Sequence, residues 1–270
     1  MLKKLLKSFG KIVMMVAVVF IFTSCASAPK KIDPQLPVTP AKHQLSDMNP
    51  DIEYAIADAY DPWEGFNRSM YNFNYGFDKY VFLPVVSGYE FIMPNFLEDC
   101  VSNFFKNVGE FKNLTNSILQ FKGGASVKTL GRFIVNTTIG IGGLFDPATK
   151  MGLPRQNEDF GQTLGVYGLG AGPYLVLPIF GPSSLRDTIG LIGDSAARAA
   201  VYDWIDPMEN VDDEDSILLG ISALEAIDAR HLQSFRYYEA GSPFEYELIR
   251  FLYLSKRKLD VGNVFGKPAD

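Results

Sequence analysis

Residues 160–185 read FGQTLGVYGLGAGPYLVLPIFGPSSL and contain no charged side chain. The stretch is long enough to lie at membrane depth, but its six glycines and three prolines argue against a regular spanning helix. In hydrocarbon, irregular backbone occurs only where protein or a water-filled cavity surrounds it. The stretch therefore predicts either a passage through a bilayer or a buried loop and hairpin in a soluble core, with the hairpin near residues 164–179.

The N-terminus has the pattern of a cleaved signal peptide. Four lysines precede eleven apolar residues, 12–22, a run too short for a transmembrane helix. Small residues then lead to Cys25, a pattern that resembles a bacterial lipobox and implies lipidation of Cys25. Several acyl chains anchor a protein where one cannot. Ala26 after the cysteine implies the outer membrane of a Gram-negative envelope. An ordinary secreted protein is the alternative.

This reading divides the chain into four parts. They are a signal peptide (1–24), a lipidated cysteine with a proline-rich tether (25–60), a helical domain (61–260) and a C-terminal tail (261–270).

Charge and cysteine content exclude several kinds of partner. Removal of the signal peptide takes away four of the 25 basic residues and none of the 31 acidic ones, which leaves 21 against 31 and a net charge of −10. Such a surface does not suit nucleic acid or adsorption to anionic lipid. Once Cys25 is lipidated, Cys100 has no intrachain partner, and we expect it to be a small core residue of a helix.

Helical periodicity dominates the folded part. Asp61 is predicted to cap the first helix, with Pro62 at its first position. Aromatic residues then form one stripe of that helix: Trp63, Phe66, Phe73, Phe77 and Tyr80. Pro84 and Pro94 are expected to interrupt the pattern. Further helices are predicted at about 97–120, 125–136, 187–204 and 216–227 and from Ser242 onward, so the fold class is all-α.

Motifs for chemistry are weak. The mature chain has two histidines, His43 and His231, and no Gly-x-Ser-x-Gly elbow presents a serine to either. The acidic residues 212–215 lack the alternating ligands of a calcium loop. The glycine clusters at 140–143 and 168–172 lack the lysine of a phosphate loop. We therefore predict no catalytic residue, no metal and no cofactor; a lipid hydrolase that uses His231 is the least favoured alternative.

Several joined motifs resemble the MlaA (VacJ) lipoproteins, and the resemblance covers about residues 61–204. The motifs are Asp61-Pro62-Trp63-Glu64-Gly65-Phe66-Asn67-Arg68, Phe73-Asn74, Asn103-Phe104-Phe105-x-Asn107, Asn116-x-x-Leu119-Gln120, Arg132-Phe133-x-Val135-Asn136-Thr137-Thr138-x-Gly140-x-Gly142-Gly143-Leu144-x-Asp146-Pro147-Ala148, Asp159-Phe160-Gly161-Gln162-Thr163-Leu164-Gly165, Gly172-Pro173-Tyr174-Leu175-Val176-Leu177-Pro178 and Gly181-Pro182-Ser183-Ser184-Leu185-Arg186-Asp187.

The resemblance implies a ring of amphipathic helices that lies in the outer membrane around a central amphiphilic channel. Such a channel removes phospholipids mislocalised to the outer leaflet and passes them to a soluble periplasmic lipid carrier, which preserves lipid asymmetry. In that family the ring sits beside trimeric porins. A structural adaptor that organises porins without moving lipid is the alternative from another class.

Residues of the glycine-rich motifs are the predicted channel-lining or gating positions, because glycine leaves room for a lipid to pass. They are Asn136, Gly140, Gly142, Gly143, Asp146, Asp159, Gly161, Gln162, Gly165, Gly168, Gly170, Gly172, Tyr174 and Pro178.

Other polar residues near these motifs are given scaffold roles. We expect Asp146 to act mainly as a turn or cap. Arg186 and Asp187 are expected either to pair and close the uncharged segment or to mark its return to an aqueous surface, and we favour the second. A second group is expected to hydrogen-bond the backbone of the glycine-rich segments: Asn67, Arg68 and Asn74.

Overall fold

The structure, a computed structural model, describes residues 61–205, 213–239 and 244–262. Its elements in chain order are α1 (Glu64–Phe77), a π-helical segment (Asp78–Phe82), α2 (Leu83–Ile92), α3 (Asn95–Leu119), α4 (Gly123–Thr138), α5 (Pro147–Lys150), α6 (Phe160–Val166), β1 (Tyr174–Leu177), β2 (Gly181–Ser184), α7 (Leu185–Ile205), α8 (Glu214–His231) and α9 (Glu245–Gly262). The predicted all-α class is confirmed, with one small antiparallel sheet in these ranges. The predicted signal peptide, Cys25 and the tether lie outside the described residues, as do residues 263–270.

The first helical stretch is continuous from α1 through the π-helical segment into α2. In the π-helical segment the amide of Leu83 donates to the carbonyl of Asp78, five residues earlier. Pro84 follows in the first turn of α2, where its missing amide hydrogen is tolerated. The prediction that Pro84 interrupts the helix is therefore wrong. Pro94 does end it, because Met93 before it is extended.

The predicted cap at Asp61 is wrong. Trp63 occupies the N-cap position of α1 and makes no side-chain cap bond. The carboxylate of Asp61 instead accepts hydrogen bonds from Asn67 at 2.7 Å and from Arg250 of α9 at 3.0 Å. A charged donor is a stronger partner for a carboxylate than a backbone amide, so Asp61 joins α1 to α9.

Two asparagines of α1 hold the hairpin. Asn67 accepts from the amide of Val176 at 2.8 Å and donates to another β1 carbonyl at 3.0 Å. Asn74 accepts from the amide of Ile179 at 2.7 Å and donates to the carbonyl of Leu177 at 2.9 Å. The predicted scaffold role is confirmed for both. The hairpin lies later than predicted, because residues 160–166 fold as α6.

Arg68 does not share this role. Its guanidinium hydrogen-bonds Glu64 at 2.7 Å and also Glu247 of α9, and it lies 4.4 Å from the ring centre of Tyr246. The scaffold prediction for Arg68 is wrong, since two carboxylates and an aromatic face are better partners for a guanidinium than backbone carbonyls.

Burial in α3 is the reverse of that in a water-soluble helix. The buried positions of α3 and of its C-cap, Gln120, include five polar residues at helical spacing, which we call the polar seam: Asn107, Glu110, Asn113, Asn116 and Gln120. Large apolar residues on other positions of α3 are 40–57% exposed: Phe104, Val108, Phe111 and Ile118. The aromatic stripe of α1 begins in the same way, with Trp63 and Phe66 about half exposed. An apolar face of this kind indicates a partner that is itself apolar.

A small aromatic cluster is the apolar core of the described residues. Tyr71 of α1 lies at its centre, with edge-to-face contacts to Tyr238 and Tyr246 at ring distances of 5.7 Å. The hydroxyl of Tyr71 donates to Glu245 at 2.6 Å. Edge-to-face packing and a paired hydroxyl are how buried tyrosines satisfy both ring and polar tip. The cluster joins α1, the hairpin and α9.

The helices α6 and α7 touch through their backbones. A Cβ atom added at Gly190 would lie 2.3 Å from the backbone nitrogen of Gly161, so only glycine fits there. Small residues that bring two helix backbones together are typical of helix pairs in lipid. Among the described helices, none is long and apolar enough to cross a membrane.

Replacement of Asn74 by Ala is expected to destabilise the hairpin. The change leaves the amide of Ile179 and the carbonyl of Leu177 without their partner, at a cost of about 2 kcal/mol or more. Hydrogen exchange at Ile179 should accelerate, and the free energy of unfolding in detergent should fall. Ser69→Ala, at an exposed position of the same helix, is the control. Unchanged exchange at Ile179 would show that Asn74 does not hold the hairpin.

Candidate functional site

Arg132 of α4 binds the polar seam through Glu110. It is 2% exposed, and its Nε donates to Glu110 at 3.0 Å while Nη2 donates to Asp146 at 3.0 Å. Nη1 donates to Thr149 at 2.9 Å and to the carbonyl of Leu153. Every nitrogen of the guanidinium therefore has an acceptor, which is the condition for burying a charge.

Asp146 is the cap predicted from sequence. Its carboxylate accepts from the amide of Thr149 at 3.0 Å at the start of α5. Asn136 donates to the same carboxylate at 3.0 Å and accepts from the amide of Ala148 at 3.1 Å. Burial alone would raise the pKa of Asp146, but the hydrogen bonds from Thr149 and Arg132 outweigh it and lower this pKa to about 2.

The segment between α4 and α5 is a tight glycine turn. Gly143 has φ +90°, and a Cβ atom there would lie 2.6 Å from the side chain of Asn107 in the polar seam. At Gly140 a Cβ atom would lie 2.4 Å from two backbone oxygens. Gly142, with φ +68°, has nothing within 4 Å of an added Cβ atom. Gly140 and Gly143 thus fix the turn, and Gly142 faces open space.

The polar seam also hydrogen-bonds α6 and α7. Asn116 donates to Asp194 of α7 at 2.9 Å and accepts from the hydroxyl of Thr163 in α6 at 2.8 Å. Gln120 donates to the same hydroxyl at 3.1 Å, and Asn113 accepts from the amide of Glu158 at 3.2 Å. One face of α3 thereby holds both glycine-rich segments of the chain.

A second charged centre lies at α9. Arg257 donates to both carboxylate oxygens of Asp159, at 2.7 and 2.8 Å, and to both of Asp187, at 3.0 and 2.7 Å. Arg186 adds hydrogen bonds of 3.1 Å to Asp187. Burial would raise the pKa of Asp159, but the hydrogen bonds from Arg257 lower it to about 2.

This centre corrects one sequence prediction. The favoured expectation, a return to an aqueous surface at Arg186 and Asp187, is not met because both are buried, and the alternative, that the two residues pair, is confirmed at 3.1 Å. The favoured expectation is wrong because Arg257, which lies far along the chain, supplies the charge that keeps Asp187 inside. Asp159 also caps α6 by accepting from the amide of Gln162 at 2.8 Å.

Three of the remaining predicted positions are glycines that pack closely against other residues. Gly161 lies against Asp187, Gly165 against Val261, and Gly172 against Leu185.

Tyr174 is fully buried in the tyrosine cluster, and Pro178 is half-buried beside the hairpin turn. Gln162 is buried and donates to the carbonyl of Asn157 at 3.1 Å. Gly168 and Gly170 are exposed with nothing within 4 Å of an added Cβ atom.

Open space therefore exists at three of the predicted glycines: Gly142, Gly168 and Gly170. Gly142 follows α4, and Gly168 and Gly170 follow α6. The polar seam contacts α4 through Glu110 and α6 through Asn116. Sequence analysis assigns no role to Arg132, Glu110 or Arg257. A usable signal for the first two is their place at helical spacing among uncharged polar residues, Glu110 between Asn107 and Asn113 and Arg132 between Thr129 and Asn136. For Arg257, which has charged neighbours on both sides, the sequence has no comparable signal.

His231, the base of the hydrolase hypothesis, lies beside two carboxylates. Its Nδ1 is 2.8 Å from Glu90 and its Nε2 is 3.8 Å from Glu98. In the described part of the chain no hydrogen bond joins it to a serine; Ser183 bonds Thr188 at 3.0 Å. No group of three or more His, Cys, Asp or Glu residues in residues 61–205, 213–239 and 244–262 could hold a metal ion. Cys100 is free and buried, as predicted.

Arg132→Met is expected to lower the free energy of unfolding in detergent by about 3 kcal/mol, because it leaves Glu110 buried without its main partner. This is the low end of the range for breaking a buried pair, since Arg155 lies 3.6 Å from Glu110. The matched control is Arg198→Met, whose pair with Glu225 is exposed; its loss should stay below about 1 kcal/mol. Equal losses for the two variants would contradict the assigned role of the buried network.

Comparison with known proteins agrees with this architecture. Residues 59–260 match the family model described as MlaA lipoprotein. An uncharacterised protein of Rickettsia prowazekii is 40% identical over 151 residues, which cover 56% of this chain and 60% of that protein. The intermembrane phospholipid transport system lipoprotein MlaA of Escherichia coli K12 is 39% identical over 138 residues, covering 50% and 55%. The matches thus span about three-fifths or less of these relatives.

A solved structure is also similar. It is described as "Structural basis for maintenance of bacterial outer membrane lipid asymmetry", and it superposes with a TM-score of 0.55 at 30% identity, covering 74% of this chain and 98% of that one. Because the family model spans most of the chain, from before α1 to within α9, the chain belongs to the MlaA lipoprotein family.

Proposed function

We propose that this protein is an outer-membrane lipoprotein that removes phospholipid from the outer leaflet and passes it to a soluble periplasmic carrier. Its route is a passive amphiphilic channel within a ring of helices. The relatives support this proposal: those of Escherichia coli and Haemophilus influenzae are named as lipoproteins of an intermembrane phospholipid transport system. The similar solved structure concerns outer-membrane lipid asymmetry.

The reversed burial of α3 is the observation that carries the proposal. Water-soluble proteins bury such residues as Phe104, Phe111 and Ile118, whereas here they are 40–57% exposed. Their exposure is favourable in lipid, where about 25 cal/mol is gained for each Å² of apolar surface removed from water. A polar interior beneath an apolar exterior is also what a path for polar head groups through a membrane requires.

The open glycines suggest where a lipid passes. Gly142, Gly168 and Gly170 have free space at their Cα atoms. A side chain at any of them would occupy that space, so the absence of side chains leaves room for an amphiphile. Polar backbone at these glycines can solvate a head group while the acyl chains stay against apolar side chains. In this mechanism no covalent bond is made or broken.

The proposal includes a lipid anchor and a porin partner. Lipidation at Cys25 would tether the helical domain to the outer membrane, and a trimeric porin would contact part of the exposed apolar surface. The direction of net flow follows from where the carrier delivers its lipid. The same exposed apolar surface also favours the adaptor hypothesis, in which the protein organises porins and moves no lipid.

The channel is tested by filling the space at Gly142. Gly142→Phe is expected to raise outer-leaflet phospholipid to the level seen without the protein, because the phenyl ring blocks the path. Gly142→Ala carries the same backbone strain at φ +68° without the bulk, and it should remove lipid nearly as well as the natural protein. Each variant is expressed in cells from which the gene for the natural protein has been deleted. The measurement is the amount of surface phospholipid that added phospholipase digests.

Gly152 provides a matched control. It also has a positive φ, of +78°, and open space at its Cα atom, but it is not among the predicted channel positions. Gly152→Phe should leave lipid removal intact, and porin co-purification should be unchanged in all variants. Normal lipid removal by folded Gly142→Phe would contradict the channel. A loss of removal that follows a loss of porin binding would favour the adaptor, and fatty acid release abolished by His231→Ala would favour the hydrolase.

A further inference from the structure

A groove lies between the first turns of α3 and the glycine turn that leads into α5. Its volume is about 530 Å³, within the range of small-molecule sites. Its apolar wall contains Phe96, Ile139, Leu144 and Phe145, all exposed. The ring centres of Phe96 and Phe145 lie 6.0 Å apart, so the two rings are in contact. We call this site the rim groove.

The rim groove is held in shape by polar contacts. Asn103 of α3 donates to the carbonyl of Leu144 at 3.3 Å, which ties the glycine turn to α3. Asp146, which also lines the groove, already accepts hydrogen bonds from Arg132 and Asn136. Its charge is therefore balanced within the protein and is not offered to a ligand.

Two charges at the rim groove remain unused. Asp99 of α3 and Lys150 of α5 both line it and are both exposed. Within the described residues neither side chain makes a hydrogen bond or lies within 4.0 Å of an oppositely charged group. This contrasts with the interior, where Arg132 and Arg257 each bind two carboxylates. The groove thus combines one free anion, one free cation and an apolar wall.

We infer that the rim groove binds the head group and the upper part of the acyl chains of a single phospholipid, that this head group is zwitterionic and amine-bearing, and that Asp99 determines the preference. The inference rests on the proposed function and specifies its substrate class. Lys150 attracts the phosphate that all phospholipids share. Asp99 attracts the ammonium of an ethanolamine head group, which can donate hydrogen bonds to a carboxylate. A head group of glycerol leaves Asp99 unpaired and brings the lipid's net negative charge towards it.

The expected size of the preference is modest. Both side chains are solvent-exposed, and ion pairs in such settings discriminate by about two- to fivefold. The apolar wall contributes affinity that is the same for both lipid classes, because their acyl chains are identical. Asp99 therefore sets selectivity and Lys150 sets the overall amount bound.

The test uses the full lipidated protein in a non-ionic detergent, equilibrated with equal amounts of dioleoyl phosphatidylethanolamine and dioleoyl phosphatidylglycerol. After repurification, mass spectrometry measures the ratio of the two bound lipids. The natural protein should hold about two- to fivefold more phosphatidylethanolamine. Asp99→Asn should bring the ratio to about one, and Asp99→Lys should reverse it. Lys150→Gln should lower the amount of both lipids and keep the preference.

Asp203→Asn, an exposed acid at the end of α7, is the matched control and should keep the natural ratio. Two results would overturn the inference: a ratio of one in the natural protein, or a ratio that Asp99→Asn leaves unchanged. In both cases lipid is still bound and the proposed function stands. Failure of the natural protein to retain either phospholipid would contradict the inference and the proposed function together.

Discussion

The buried contact between Arg132 and Glu110 is the interaction on which the rest of the described structure depends. A carboxylate placed on the inner face of α3 is stable only if a cation lies beside it, and Arg132 is that cation. The same guanidinium holds Asp146 and so fixes the start of α5 and the end of the glycine turn. Further along the polar seam, Asn116 orients α6 and α7 by the same kind of pairing. Hydrogen-bonded and charge-paired polar groups therefore position α3, α4, α6 and α7, while the tyrosine cluster joins α1, the hairpin and α9.

This interior has a consequence for the exterior. An amphipathic helix that turns its polar face inward must turn its apolar face outward, and α3 does so with Phe104, Phe111 and Ile118. Apolar residues outside are favourable only against lipid or another apolar surface. The close backbone contact of Gly190 with Gly161 fits the same environment, where helices associate through close packing. Burial, charge pairing and glycine placement thus all support the proposed membrane setting.

Much of the fold could be predicted from sequence, because hydrophobic periodicity marks α3, α4, α7 and α8 directly. The same periodicity does not say which face lies inside, since it reports only that two faces differ. The roles of Asn67 and Asn74 were predictable as polar positions next to a segment with irregular backbone. Predictions from neighbouring residues alone were wrong where a residue far along the chain is the actual partner. Asp61 pairs with Arg250 instead of capping α1, and Asp187 is buried because it pairs with Arg257. Sequence does not distinguish the predicted channel glycines from one another, whereas packing fills the space at Gly143 and Gly161 and leaves it open at Gly142.

The orientation of the apolar face is tested most directly by spin labels in a lipid bilayer. Cysteines are placed at Phe111, Ile134 and Ile192 and, as exposed polar references, at Lys128 and Lys256, in protein whose buried Cys100 is replaced by Ala. Power saturation with oxygen, which concentrates in lipid, and with a water-soluble nickel chelate measures the environment of each label. The structure leads us to expect that oxygen dominates at the three apolar positions and the chelate at the two lysines. Dominance of the chelate at all five positions would contradict the account.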